Sequence, residues 1–220
     1  MRPLISSAEA AAMVQDGSVV MFGGFMGCGT PHGLVEELLA RGTARLTMIC
    51  NDTGFPDYGT GRLVMAGRIR KTIATHIGLN PETSRRMNAG EMEVELIPQG
   101  TMAERIRAAG AGLGGILTPT GVGTVVEEGK QRITVDNRDY LLEKPLRADI
   151  ALLKAHKADR AGNLIYRLSA RNFNPLMAMA ADTVIVEADA IVDIGRLDPD
   201  SVHTPGVFVH YLMQSRKGDG

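Results

Sequence analysis

Nine consecutive residues, Gly23-Gly24-Phe25-Met26-Gly27-Cys28-Gly29-Thr30-Pro31, carry the clearest chemical signal in this chain. They follow an apolar β-type run, Val19-Val20-Met21-Phe22, and precede a helical pattern with apolar Leu34, Val35, Leu38 and Leu39. Glycine has no Cβ and tolerates positive φ, so backbone at such a turn can approach a ligand closely. The helix that follows directs unpaired N–H groups, and the positive end of its dipole, into the turn. Thr30 is placed to cap that helix, and Pro31 to take its first position, where no N–H is needed. The chemistry implied is capture of an anion or a carbonyl oxygen. The spacing is not that of a dinucleotide G-x-G-x-x-G, and no Lys-Ser/Thr follows to make a P-loop. From the glycines alone, a tight βα turn without a ligand fits as well.

No reactive group accompanies this turn. His32, His76, His156, His203 and His210 are isolated, with no spacing suited to zinc, so no metal site is expected. Cys28 sits near a helix N-terminus, where thiolates are favoured, yet no obvious base accompanies it, and it reads as a small loop residue. There is no Gly-x-Ser-x-Gly elbow. Glu127-Glu128-Gly129 reads as a solvated turn, and Glu91, Glu93 and Glu95 as one polar face of a strand. The chain builds a pocket and supplies no evident catalytic acid or nucleophile.

The elements that must position the turn can be read in order. A first helix opens with the Ser6…Glu9 capping-box spacing and is ended by Gly17. After the glycine turn a helix runs to about Gly42, and a strand, Leu46 to Cys50, ends at Asn51-Asp52-Thr53-Gly54. A strand near Lys71–His76 precedes a helix opening at Asn80-Pro81-Glu82. A strand Val94–Gln99 leads into Thr101…Glu104, a second capping-box spacing. This alternation predicts an α/β fold with a mainly parallel sheet and helices on both faces. Ligands of such sheets sit off the carboxyl ends of the strands, where the glycine turn, Asn51 and Gln99 all fall.

The second half differs. Residues 110–124 are rich in Gly, Thr and Pro but keep Leu113, Ile116, Leu117 and Val122. They read as an ordered loop beside a site or at an interface. A small β-hairpin follows, Ile133–Val135 and Tyr140–Leu142 around Asp136-Asn137. Then come a strand at Ile150–Leu153, a turn at Ala161-Gly162-Asn163, a helix after Asn174-Pro175 and a strand at Thr183–Val186. The last five residues read as frayed.

The chain has 220 residues, enough for one substantial α/β domain spanning residues 1–220. Its formal net charge of −1 offers no basic stripe for nucleic acid or anionic lipid. Trp is absent and other aromatics are scarce, which disfavours base-stacking platforms. No apolar run is long enough to span a membrane. Two cysteines, Cys28 and Cys50, make no disulfide framework, and the N-terminus lacks a secretory or transit pattern. A cytoplasmic protein is expected.

The segment Asp16-Gly17 through Gly29-Thr30-Pro31 resembles the signature of the family I (3-oxoacid) coenzyme A transferases: Asp/Asn-Gly, two residues, three apolar residues, Gly-Gly-Phe, three residues, Gly-x-Pro. The likeness continues through Asn51-Asp52-Thr53-Gly54, Asn80-Pro81-Glu82-Thr83, Pro98-Gln99-Gly100-Thr101, Leu117–Thr124, Ser169–Pro175 and Thr204-Pro205-Gly206. The resemblance is to the α subunits of the family and covers nearly the whole chain. It implies CoA transfer between a short-chain acyl-CoA, such as that of acetate or acetoacetate, and a carboxylate. A glutamate carried by a separate β subunit would be the nucleophile, in a ping-pong reaction. It also implies that Gly24, Phe25, Met26, Gly27, Cys28, Gly29 and Thr30 form the CoA-binding loop. Asn51 and Gln99 would donate to the oxyanion at the acyl site. CoA is then a substrate, with no permanently bound cofactor, and an α2β2 assembly is expected. An Asx-turn for Asn51 and a strand-end hydrogen bond for Gln99 are the alternatives. A non-catalytic CoA- or acyl-binding module, or a small-molecule isomerase or hydrolase, remains the competing reading of the chain.

Overall fold

The computed structural model describes residues 1–216. In chain order the elements are α1 (Ser7–Met13), β1 (Val19–Phe22), α2 (His32–Arg41), β2 (Leu46–Ile49), α3 (Gly61–Met65), β3 (Ile69–Ala74), α4 (Pro81–Asn88), β4 (Glu93–Leu96), α5 (Gln99–Gly110) and β5 (Ile116–Thr118). They continue with β6 (Arg132–Val135), β7 (Arg138–Glu143), β8 (Ala148–Asp159), β9 (Leu164–Ile165), α6 (Asn174–Met177), β10 (Ala181–Val192) and β11 (Tyr211–Gln214). The main sheet has the order β11-β10-β8-β1-β2-β3-β4, with every neighbouring pair parallel and β9 antiparallel on β8. The hairpin pairs with β5 as a separate antiparallel sheet, β5-β7-β6.

Strand alternation divides the core between the two faces of the sheet. Val20, Phe22, Met48, Ile150, Leu152 and Ile185 face one cluster, shared with Leu34 and Leu38 of α2, Ala10 of α1 and Leu63 of α3. Met21, Ile49, Ala151, Leu153, Val184 and Val186 face the other, shared with Met102 and Ile106 of α5 and Met177 of α6. Helices therefore cover both faces, as the alternation of elements predicts.

Local signals hold where they are self-contained. Ser6 and Glu9 form a reciprocal capping box. Gly42 closes α2 in the left-handed conformation, and Asn80 caps α4 by accepting from Glu82 N–H. Asp136 and Asn137 both take positive φ in the hairpin turn. Lys71 lies between Glu93 and Glu95 at 2.7 and 3.0 Å, the polar face expected of β4.

Four expectations are corrected. The first helix ends at Met13, before Gly17, which instead bends the chain into β1 at φ +83°. Thr30 does not cap α2: Pro31 is the cap residue, without a side-chain bond, and Thr30 is buried in the loop. Thr101 and Glu104 form no capping box, because α5 starts earlier, at Gln99, with Met102 N–H donating to Pro98 O. The Thr101 hydroxyl is left buried without a hydrogen-bond partner, and Glu104 pairs with Arg107 instead. Arg216, inside the tail read as frayed, pairs with Glu37 at 3.1 Å; the other four residues of that tail lie outside the described residues. The elements α3, β5, β9 and β11 have no counterpart in the sequence reading, and β8 and β10 run to 12 residues each, well past the runs expected. Neither Lys154 and His156 of β8 nor Glu187 and Asp189 of β10 stops its strand, because they pair with one another across the sheet.

Candidate functional site

The glycine turn stands at the carboxyl end of β1, the central strand of the path. Phe25 and Cys28 exchange both backbone hydrogen bonds, at 3.0 and 2.9 Å, so that Met26 and Gly27 form a two-residue turn. Both take positive φ, +50° and +82°, as primed turns require. Phe25 and Met26 project from its tip, 41% and 45% exposed. The loop is held from both sides. Asp52 Oδ2, after β2, accepts Met26 N–H at 2.8 Å. Asn174 Nδ2, at the start of α6, donates to Gly29 O at 3.0 Å, while its Oδ1 accepts Lys154 N–H from β8 at 3.1 Å.

One N–H at the N-terminus of α2 is met from within the protein. Leu34 N–H donates at 3.1 Å to Oε2 of Glu187, a fully buried carboxylate from β10. Oε1 of Glu187 accepts from Lys154 Nζ at 2.9 Å and Ser215 Oγ at 3.1 Å. Lys154 also meets Asp189 at 2.8 Å, and His156 Nδ1 lies 3.4 Å from the same carboxylate. Burial opposes the Lys154 charge, but Glu187 and Asp189 overcome it and hold its pKa above the ordinary lysine value. Burial likewise opposes the Asp189 charge, and Lys154 holds that carboxyl below the usual aspartate value.

The loop separates two clefts. The first, about 370 Å³, is lined by Phe25 and Met26 of the loop, Asn51 and Asp52 after β2, Thr75, His76 and Leu79 after β3, and Gln99 at the start of α5. Asn51 and Gln99 meet in it. Gln99 Nε2 donates to Asn51 Oδ1 at 2.6 Å, and Asn51 Nδ2 donates to Asp52 Oδ2 at 3.0 Å. Thr75 Oγ1 donates to Asn51 O at 2.8 Å and fixes the end of β2. Each amide nitrogen retains a second N–H that these bonds do not use. Neither alternative for the pair describes these contacts: the Asx-turn belongs to Asp52, whose Oδ1 accepts Gly54 N–H at 3.0 Å, and Gln99 bonds a side chain rather than a strand.

The second cleft, about 620 Å³, lies on the other side of the loop and is lined by Met26 to Thr30 together with Tyr58, Lys154, His156, Arg167, Ser169 and Asp189. Cys28 Sγ is exposed there, 3.3 Å from Ser169 Oγ. Cys50 is fully buried, and burial pushes its thiol up, away from reactivity. The residues not nominated from sequence are Asp52, Asn174 and the Lys154–Glu187–Asp189 cluster. A signal existed for the last: Glu187 interrupts Val184-Ile185-Val186 and Ala188, an apolar run that a buried strand would contain.

A Cβ on Gly24 would fall 2.2 Å from Thr30 Oγ1, and the residue stands at φ +121°. Gly24→Val is therefore expected to distort the loop locally, raising KM for a substrate bound there about tenfold, or ~1.4 kcal/mol. Steady-state kinetics and a thermal melt check this. A fall in melting midpoint matching that of a core substitution would mark Gly24 as structural.

The parallel sheet, the loops at its carboxyl edge and the paired amides beside a glycine turn define an α/β protein with two clefts flanked by that turn. Comparison with known proteins gives the family. The model of the coenzyme A transferase family matches residues 4–215, and the chain belongs to that family. It is 58% identical to the alpha subunit of the acetate CoA-transferase of Escherichia coli K12, over 97% of both chains. It is 48% identical to the alpha subunit of the acetoacetyl-CoA:acetate/butyrate CoA transferase of Clostridium acetobutylicum, over 96% of this chain and 97% of that one. In fold, the chain superposes on an acyl-CoA transferase of E. coli O157:H7, solved as a thioester complex with CoA, with a TM-score of 0.87 at 23% identity. That match covers all of this chain and 49% of the other. Glutaconate coenzyme A-transferase of Acidaminococcus fermentans matches with a TM-score of 0.85 at 19% identity, over 98% and 76% of the two chains. No helix among the described residues is long and apolar enough to cross a membrane.

Proposed function

We propose that this chain is the α subunit of a short-chain acyl-CoA:carboxylate CoA-transferase acting on acetate and acetoacetate. The observation that carries the reading is the Gln99–Asn51 amide pair, which shares one cleft with the tip of the glycine loop. In this mechanism a glutamate of the β subunit is the nucleophile. It attacks the thioester carbonyl, and CoA leaves as its thiolate, giving an acyl-glutamyl anhydride. The thiolate then attacks the glutamyl carbonyl and releases the first carboxylate. The acceptor carboxylate takes CoA by the reverse steps. Each attack converts a carbonyl oxygen into an oxyanion. The free amide N–H groups of Gln99 and Asn51 are the donors this chain supplies to it. The loop Gly24 to Thr30 binds CoA, whose remote contacts help drive the chemical steps.

CoA enters as a substrate, and no resident cofactor is required. The chain acts as one domain over residues 1–220, paired with the β subunit in an α2β2 assembly in the cytoplasm. The glycine-rich segment 110–124, which carries exposed Leu113 and Leu117, is assigned to part of an interface in that assembly.

The test is CoA transfer from acetyl-CoA to acetoacetate by this chain alone and mixed with a candidate β subunit from the same organism. Activity only in the mixture, with a borohydride-trappable glutamyl thioester on the partner, is the expected result. Activity of this chain alone would reveal a carboxylate nucleophile within it. Inactivity of both, each folded, would favour a binding module, an isomerase or a hydrolase.

A further inference from the structure

Asp52 is buried, 6% exposed, and its carboxylate is divided between the two halves of the site. One oxygen, Oδ2, accepts both Asn51 Nδ2, at 3.0 Å, and Met26 N–H, at 2.8 Å. The other, Oδ1, accepts Gly54 N–H at 3.0 Å and folds the loop after β2. A chain of bonds thus runs from Gln99 through Asn51 and Asp52 to the tip of the glycine turn. The tip needs such a hold. Met26 keeps φ at +50°, a conformation methionine seldom adopts, and its side chain is largely exposed. An ionised acceptor gives the stronger, shorter kind of hydrogen bond.

We infer that Asp52 is a positioning residue that sets the amide pair in register with the glycine loop, and so the oxyanion donors against the bound thioester. The inference rests on the transferase reading. It assigns Asp52 no contact with substrate. Its carboxylate acts through Asn51 on one side and the Met26 backbone on the other. Asp52→Asn is the informative change, because it preserves shape and removes one acceptor. An asparagine NH2 must then face either the Gly54 N–H or the pair of donors now meeting at Oδ2, donor against donor.

The experiment uses the complex with the β partner, wild type and D52N. Misplacement by a fraction of an ångström in such a site lowers turnover by roughly 10–100-fold. That loss in kcat is expected to exceed any rise in KM for acyl-CoA, with the melting midpoint lowered by only a few degrees, the effect of one mispaired buried donor. In the D52N background, Gln99→Ala should cost far less than in wild type, since the amide it removes is already out of register. Hydrogen exchange at the Met26 amide should quicken, a readout that needs no activity. If the wild-type complex transfers no CoA, the transferase reading fails, while the exchange result still reports on the tie. Wild-type kcat in D52N, or full additivity with Gln99→Ala, would overturn the inference, and so would unchanged Met26 exchange. A loss of activity that merely tracks a large loss of stability would also overturn it. Should the D52N complex fail to fold, Asp52→Glu, which keeps the charge one methylene further out, must show the same loss in kcat at unchanged melting midpoint.

Discussion

Replacing Gln99 with alanine is expected to lower turnover of the assembled enzyme by about 10²–10³-fold, the effect of losing one oxyanion donor, or ~2.7–4 kcal/mol in the barrier. KM for acyl-CoA should barely move, because the donor strengthens its hold only as the carbonyl oxygen gains charge. Gln99 is a cleaner target than Asn51. Its side chain lies at the first residue of α5, and its one bond is to Asn51 Oδ1, which Thr75 Oγ1 still approaches at 3.2 Å. Asn51 is 1% exposed, and its removal would take one donor from Asp52 and leave Gln99 without its partner, mixing catalytic and folding losses. Steady-state kinetics of the Gln99→Ala complex, beside its thermal melt, decide the matter. An unchanged rate would remove Gln99 from the site.

The largest effect on stability is expected at Glu187. Glu187→Leu leaves Lys154, 7% exposed, without its buried partner and strips Leu34 N–H of its acceptor. Breaking a buried pair from one side costs about 3–5 kcal/mol. Asp189 remains 2.8 Å from Lys154 and is 41% exposed, so the lower end applies. For a chain of this size, a loss of ~3 kcal/mol lowers the melting midpoint by roughly 6–12 °C. Removing both charges, Lys154→Met with Glu187→Leu, should recover most of it, since apolar replacement of a buried pair is often neutral. Thermal denaturation of single and double variants checks both statements.

The cluster also has a pH window. The raised Lys154 value means its contribution is complete below the usual lysine pKa of 10.5 and fades as pH climbs through the folded-state value. The lowered Asp189 value means its contribution is complete above the usual aspartate pKa of 3.8 and fades as pH falls through the folded-state value. Across neutral pH the contributions of Lys154 and Asp189 are therefore constant.

What the sequence determined by itself is local. Glycines at positive φ announce the turn before α2, alternation of apolar residues announces the buried strands, and Asn80-Pro81 announces the start of α4. These features depend on neighbours within a few residues, so composition and spacing express them. The positions of Asn51 and Gln99 at the carboxyl edge of the sheet also follow, because strand ends can be counted along the chain. Tertiary structure alone decided which groups meet. The Gln99–Asn51 bond joins residues 48 apart, and Leu34 finds Glu187 at a separation of 153. The turn-to-helix pattern pointed to the N–H groups at the start of α2, and the fold brings the protein's own Glu187 carboxylate to one of them, Leu34. A charge in a buried strand must find partners across the sheet, and strand order, not sequence distance, chooses them. The same constraint made Asp52, a turn residue by sequence, the joint between the two halves of the site.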